Sequence, residues 1–234
     1  MQTLTNTLLR LTARIVPGLR VHLEHIQTRR ALLTASRKEL DQTPAWMESC
    51  IPSYCHDNGL ASYAAWNRLF VAADFHKQLA LPGPMLDFGA GSGELARLLP
   101  AEQSYHFIEE DPQLSWHIRR TFPQATETTL NDLPREHYAA ILCLDSLEHN
   151  QDYEAIVRQL IPALRPGGVL IVSGPTENLL YRIGRRIAGF SGHYHQTNIG
   201  NIEQTLARHL VRIRQKTVPW GIPLFSITAW RNAS

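Results

Sequence analysis

The stretch Met85-Leu86-Asp87-Phe88-Gly89-Ala90-Gly91-Ser92-Gly93-Glu94-Leu95 constrains this chain more than any other: an apolar strand ends on an acid and enters a turn with three glycines at alternate positions. Missing side chains let a ligand approach the backbone, and glycine takes up left-handed conformations at little steric cost. A helix is expected to follow, aiming free N–H groups and the positive end of its dipole at the ligand. The pattern marks a nucleotide-type cofactor site. Several enzyme classes share it, so the neighbouring segments must decide between them.

Those segments alternate in a βαβ rhythm, which predicts a mostly parallel sheet with helices on both faces. Tyr105-His106-Phe107-Ile108 reads as a short strand, and Leu114, Ile118 and Phe122 mark the next helix. Ala139-Ala140-Ile141-Leu142-Cys143-Leu144 reads as a buried strand. The following helix places Tyr153, Ile156, Val157, Leu160, Ile161 and Leu164 on one face and stops at Arg165-Pro166-Gly167-Gly168. Val169-Leu170-Ile171-Val172-Ser173 is a strand, and a helix around Ile202 to Leu210 follows. Residues 211–217 and 224–230 close the chain as an antiparallel hairpin. The fold class expected is α/β, a doubly wound sheet with that terminal hairpin.

A chain of 234 residues with 44% hydrophobic content suits one large core and an extension. We expect a helical extension and cap over residues 1–80 and a core over 81–234. The formal charge of +2 gives no general reason to expect nucleic acid or an acidic substrate. Three cysteines without framework spacing suit a reducing cytoplasm. Cys50, Cys55 and His56 match no standard zinc spacing, so no metal is expected. No stretch approaches the roughly 20 apolar residues of a membrane span.

Residues 1–40 carry seven Lys or Arg against two acids, with Leu4, Leu8, Leu11 and Ile15 at helical spacing and Pro17-Gly18 as a break. Such a helix can contact an anionic membrane peripherally, or pack its apolar stripe on its own domain. Residues 41–60 read as a loop over the site mouth and 61–80 as a helix.

Glu109 closes the second strand 22 positions after Asp87, where a doubly wound fold places an acid that accepts hydrogen bonds from ribose hydroxyls. Asn131-Asp132-Leu133 precedes the fourth strand. Asp132 could accept from an adenine amino group there, or serve as an ordinary turn residue.

With these pieces in place, the chain resembles the class I S-adenosylmethionine-dependent methyltransferases of the small-molecule and ubiquinone-pathway type. The resemblance rests on Asp87-Phe88-Gly89-Ala90-Gly91-Ser92-Gly93, Glu109-Glu110-Asp111-Pro112, Leu144-Asp145-Ser146-Leu147-Glu148-His149 and Leu164-Arg165-Pro166-Gly167-Gly168-Val169-Leu170. It implies a Rossmann-like, seven-stranded sheet, mostly parallel with an antiparallel terminal hairpin, and S-adenosylmethionine as cofactor. Asp87, Gly89, Ala90, Gly91 and Gly93 would hold its methionine portion and Glu109 its ribose, while Glu110, Asp132 and Leu133 would border the adenine. Asp145 completes the cofactor set. The sequence departs from the family at Thr129, where an acid is frequent.

The expected reaction is methyl transfer to a small-molecule or lipid-like acceptor, most readily on oxygen. A hydroxyl acceptor benefits from a base, and His149, His193 and His195 are the candidates. Each has a structural alternative; His149 could simply cap the next helix. Residues 176–200, with Tyr181, Phe190, Gly184, Gly189, Gly192 and Arg182, Arg185 and Arg186, read as a lid or substrate segment, or as a solvated surface helix.

Two other readings compete. An NAD(P)-dependent oxidoreductase shares strand, glycine turn and acid, but its fingerprint wants Gly or Ala where this chain has Glu94, which would oppose a pyrophosphate. A non-catalytic cofactor-binding or interaction module would be expected to have lost the glycines or Glu109. Nucleic acid is not an expected partner, since no basic, aromatic-interleaved surface is evident. Oligomeric state is open.

Overall fold

The computed structural model describes residues 17–40, 49–179, 181, 197–219 and 222–232. Leu4, Leu8, Leu11, Ile15, residues 41–48, Arg182, Arg185, Arg186, Phe190, His193 and His195 therefore lie outside the described residues. The chain divides into two compact units, residues 1–70 and 71–234.

In the first unit, helix α1 (Pro17–Leu40) begins on a proline, whose missing N–H costs nothing at a helix start. Leu19, Ile26 and Leu33, seven residues apart, form a buried stripe. His22 stacks on Phe70 with ring centroids 3.9 Å apart. Where a loop was expected, α2 (Ile51–Tyr54) makes one helical turn. The Tyr54 carbonyl accepts from Ser62 Oγ at 2.8 Å and Trp66 Nε1 at 3.3 Å. Helix α3 (Gly59–Leu79) follows, and the boundary between units falls inside it. Asn58 Oδ1 caps it, accepting from the N–H groups of Leu60 and Ala61.

The second unit holds the expected seven-stranded sheet. Its strands are β1 (Met85–Phe88), β2 (Tyr105–Ile108), β3 (Thr126–Glu127), β4 (Tyr138–Leu144), β5 (Leu164–Pro175), β6 (Val211–Val218) and β7 (Phe225–Arg231), in the order β3-β2-β1-β4-β5-β7-β6. β1 to β5 pair in parallel, and β7 lies antiparallel between β5 and β6. Central strands β1 and β4 are buried throughout, as their unbroken apolar runs require. Helices α4 (Pro112–Thr121), α5 (Tyr153–Leu160) and α6 (Ile199–Leu206) accompany the sheet. Strand order reverses between β2-β1 and β4-β5, which opens a crevice at the carboxyl ends of β1 and β4.

Three sequence expectations need correction. No full helix follows the glycine turn: only one 3-10 turn, Ala96–Leu98, forms there. Pro100 is the cause, because a residue preceding proline is driven from helical to extended backbone, and Leu99 stands at φ −88° and ψ 158°. The helix expected to run to Leu164 ends at Leu160, and a 3-10 turn carries Pro162, which has no N–H to continue the ladder. Leu164 instead opens β5 opposite Tyr138. Finally, the two-residue β3 was not located from the sequence, being too short for an alternation to show.

Candidate functional site

Each glycine of the turn has a left-handed backbone, with φ +72° at Gly89, +56° at Gly91 and +72° at Gly93. Gly89 also needs its lack of Cβ, since a methyl there would lie 2.5 Å from the Ser146 Cβ. That near-contact draws the β1 turn against the segment after β4, across the switch point. A Cβ on Gly93 would meet Phe122 at 3.0 Å, whereas one on Gly91 would meet nothing within 4 Å. Gly91 faces open space.

The turn's amides are largely engaged within the protein. Gly89 and Ala90 donate to the Ile108 carbonyl at 2.9 and 3.2 Å, and Gly93 donates to the Ala90 carbonyl at 2.9 Å. Gly91 donates to Glu109 Oε2 at 2.7 Å. These four amides are thus not offered to an anion, and a carboxylate stands on Gly91 where a phosphate would need a donor.

Glu109 extends from the end of β2. Its Oε1 accepts from the Asp111 N–H at 3.0 Å, so both carboxylate oxygens are held in place by backbone. Burial pushes its carboxyl pKa up, while the Asp111 and Gly91 hydrogen bonds pull it back. Asp111 in turn caps α4, accepting from Gln113 and Leu114 at 2.9 Å each.

Asp87 is buried beneath the turn, 3% exposed. Its Oδ2 accepts from Tyr105 Oη at 2.8 Å. Burial raises its carboxyl pKa to about 7, against the lowering effect of the Tyr105 hydrogen bond, with Glu109 raising it further. The sequence reading missed Tyr105 as a site residue. Only the register reveals it: Met85 lies beside Tyr105 and Asp87 beside Phe107, so the phenol shares a face with Asp87 and reaches it diagonally.

After β4, Asp145 adopts a positive φ of +52°, uncommon for a residue with a side chain. Ser173 Oγ donates to its Oδ1 at 3.3 Å. Glu148 is fully buried in the following 3-10 turn, while His149 is exposed. On the β2 side, Glu110 and Asp132 are exposed, Asp132 Oδ2 accepting from Thr129 Oγ1 at 2.6 Å. Leu133 is half-buried against the core. The structure thus joins Glu109 to Gly91 and sets Gly89 against Ser146, while Asp87 is bonded to Tyr105 and coupled electrostatically to Glu109. Glu110, Asp132, Leu133, Asp145 and His149 lie on segments following β2, β3 and β4.

The segment after β5 is tied down where it is described. Thr176 Oγ1 and Asn178 Nδ2 both donate to the Pro223 carbonyl at 2.6 Å. Tyr181, expected in a lid, is buried edge-on against Phe225 with centroids 5.4 Å apart. At the far side Thr197 N–H donates to the Glu148 carbonyl at 3.3 Å, and Asn198 caps α6. Among the described residues, no group of three or more His, Cys, Asp or Glu side chains could hold a metal ion. None of the described helices is long and apolar enough to cross a membrane.

A methyltransferase-domain family model matches residues 62–231. The chain belongs to this methyltransferase family. The N-methyltransferase NodS from Bradyrhizobium japonicum WM9, solved with S-adenosyl-L-homocysteine, aligns with a TM-score of 0.58 at 14% identity, covering 72% of this chain and 87% of that one. Magnesium protoporphyrin IX methyltransferase from Synechocystis PCC 6803, also with bound S-adenosylhomocysteine, aligns with a TM-score of 0.56 at 21% identity, covering 71% and 82%. These alignments show a common fold. No functionally curated protein matches the sequence. This chain is therefore a class I methyltransferase, and S-adenosylmethionine is the methyl donor of that class. The residues present fit such a donor: open space at Gly91, an oriented acid at Glu109, and amides of Gly89, Ala90, Gly91 and Gly93 already bonded within the protein.

Proposed function

We propose that this methyltransferase acts on a small-molecule or lipid-like acceptor, through a hydroxyl oxygen. The observation that carries the cofactor half of this reading is the Glu109 carboxylate seated on the Gly91 amide beside open space. Glu109 would receive the ribose hydroxyls, and Asp87 with the backbone of Gly89, Ala90, Gly91 and Gly93 would receive the methionine portion. Glu110, Asp132, Leu133 and Asp145 would border the remainder. When bound, the donor supplies a sulfonium-activated methyl group, and the protein's task is alignment of a nucleophile with it. A nearby imidazole would take the acceptor proton; His149, exposed after β4, and His193 and His195 in the 176–200 segment are the candidates. Small-molecule acceptors are supported by the neighbour named for magnesium protoporphyrin IX.

Calorimetric titration with S-adenosylhomocysteine tests the cofactor assignment, and Glu109→Ala should weaken binding by about 1.5–3 kcal/mol, the scale of lost hydrogen bonds to a charged group. Unchanged affinity would remove Glu109 from the site. Screening hydroxylated aromatics, sugars and lipid intermediates for S-adenosylhomocysteine release tests the acceptor class. Turnover confined to amine acceptors would refute the oxygen assignment. If His149→Ala, His193→Ala and His195→Ala all leave turnover intact at saturating cofactor, the imidazole base is wrong.

A further inference from the structure

The Asp87–Tyr105 pair lies beneath the turn, and the methyl-transfer step itself makes no use of the phenol. Tyr105 is buried on β2, and its hydroxyl donates to Asp87 Oδ2 at 2.8 Å. Tyr105 from β2, Glu109 from the segment after β2 and Cys143 from β4 interact electrostatically with Asp87. None is a cation. Glu109 opposes charge on Asp87, and burial opposes it more strongly. A single neutral donor, the Tyr105 hydroxyl, counters them.

We propose that Tyr105 is a positioning residue for the methyl donor: its hydrogen bond fixes the Asp87 carboxylate and favours the charged form that can receive the donor's ammonium group. This rests on the assignment of Asp87 to the methionine portion. Donor capture is then linked to release of the Asp87 proton, and Tyr105 sets the pH at which it occurs. A phenol can do this without charge of its own, because burial and the neighbouring carboxylate hold its proton on at any physiological pH.

The test is calorimetric binding of S-adenosylhomocysteine between about pH 5.5 and 8, where Asp87 changes charge. Wild-type affinity should rise about thirtyfold across the range. 5′-Methylthioadenosine has the adenosine but no ammonium group, so its affinity should stay level. Tyr105→Phe keeps the ring and loses the donor, so the midpoint should move up by about one pH unit. Its S-adenosylhomocysteine binding should be about tenfold weaker than wild type at pH 6 and only about twofold weaker at pH 8. Uniform weakening at every pH would mean a packing role only and would overturn the proposal. So would a level wild-type profile, or superimposable wild-type and Tyr105→Phe midpoints. Should Tyr105→Phe not fold, tyrosine ultraviolet difference absorbance of the wild type gives the answer. It should titrate with the same midpoint as binding and vanish in Asp87→Asn; no such signal would overturn the proposal. Failure of the wild type to bind S-adenosylhomocysteine at any pH would instead refute the cofactor site itself.

Discussion

An alanine at Gly89 would set its Cβ 2.5 Å from that of Ser146, whereas at Gly91 the same methyl meets nothing within 4 Å. The two substitutions should therefore separate. Gly89→Ala combines a left-handed backbone with a clash and should lower unfolding free energy by about 2–4 kcal/mol in denaturant titrations. Gly91→Ala should cost only about 1 kcal/mol, yet reduce S-adenosylhomocysteine affinity at least about tenfold, because its methyl occupies space assigned to the ligand. Asp87 gives a third residue-scale expectation. Its folded pKa, about 7, exceeds the ordinary 3.8, so the folded state holds the proton more tightly. Its stability penalty is absent below the unfolded value, grows as pH rises from about 4 to 7, and is complete above that. Asp87→Asn should thus be more stable than wild type at pH 8, with the difference vanishing near pH 4 in paired thermal melts. At this scale the glycines and both acids could be read from the sequence, because spacing along one strand and turn carries them. Tyr105 could not, because its partner is fixed by the register between two strands.

Helix α4 begins at a residue that serves two neighbours: Asp111 caps the helix with its side chain and orients Glu109 with its N–H. Asp111→Ala removes only the first function. It should cost about 1 kcal/mol of stability, with S-adenosylhomocysteine affinity within about threefold of wild type. The βαβ alternation and the terminal hairpin were legible because apolar runs and turn residues delimit them. The segment after the glycine turn was misread because three glycines before an apolar run suggest a helix, and Pro100 outweighs that suggestion through Leu99. The same physics shortened α5 at Pro162.

Across the second unit, protection should follow the strand order. Amide exchange should be slowest in the central strands β1, β4 and β5 and faster in β3 and β6 at the sheet edges. S-adenosylhomocysteine should add protection at residues 89–93 and 109–111 and leave β6 unchanged; protection centred on β6 would place the ligand elsewhere. The fold class was readable as a whole because parallel order follows from alternation, and the antiparallel close from a short Pro- and Gly-containing linker. The acceptor was not, since acceptor recognition rests on a few side chains without a period. The attachments around residues 176–200 bear on how such an enzyme diversifies. Asn178 is held by the β6–β7 connection and Thr197 by the backbone of Glu148, both within the cofactor-bearing unit. If residues 176–200 serve as the substrate segment, exchanging the sequence between these two fixed posts should change acceptor preference and leave S-adenosylhomocysteine affinity as it is, which paired turnover and calorimetric measurements would check.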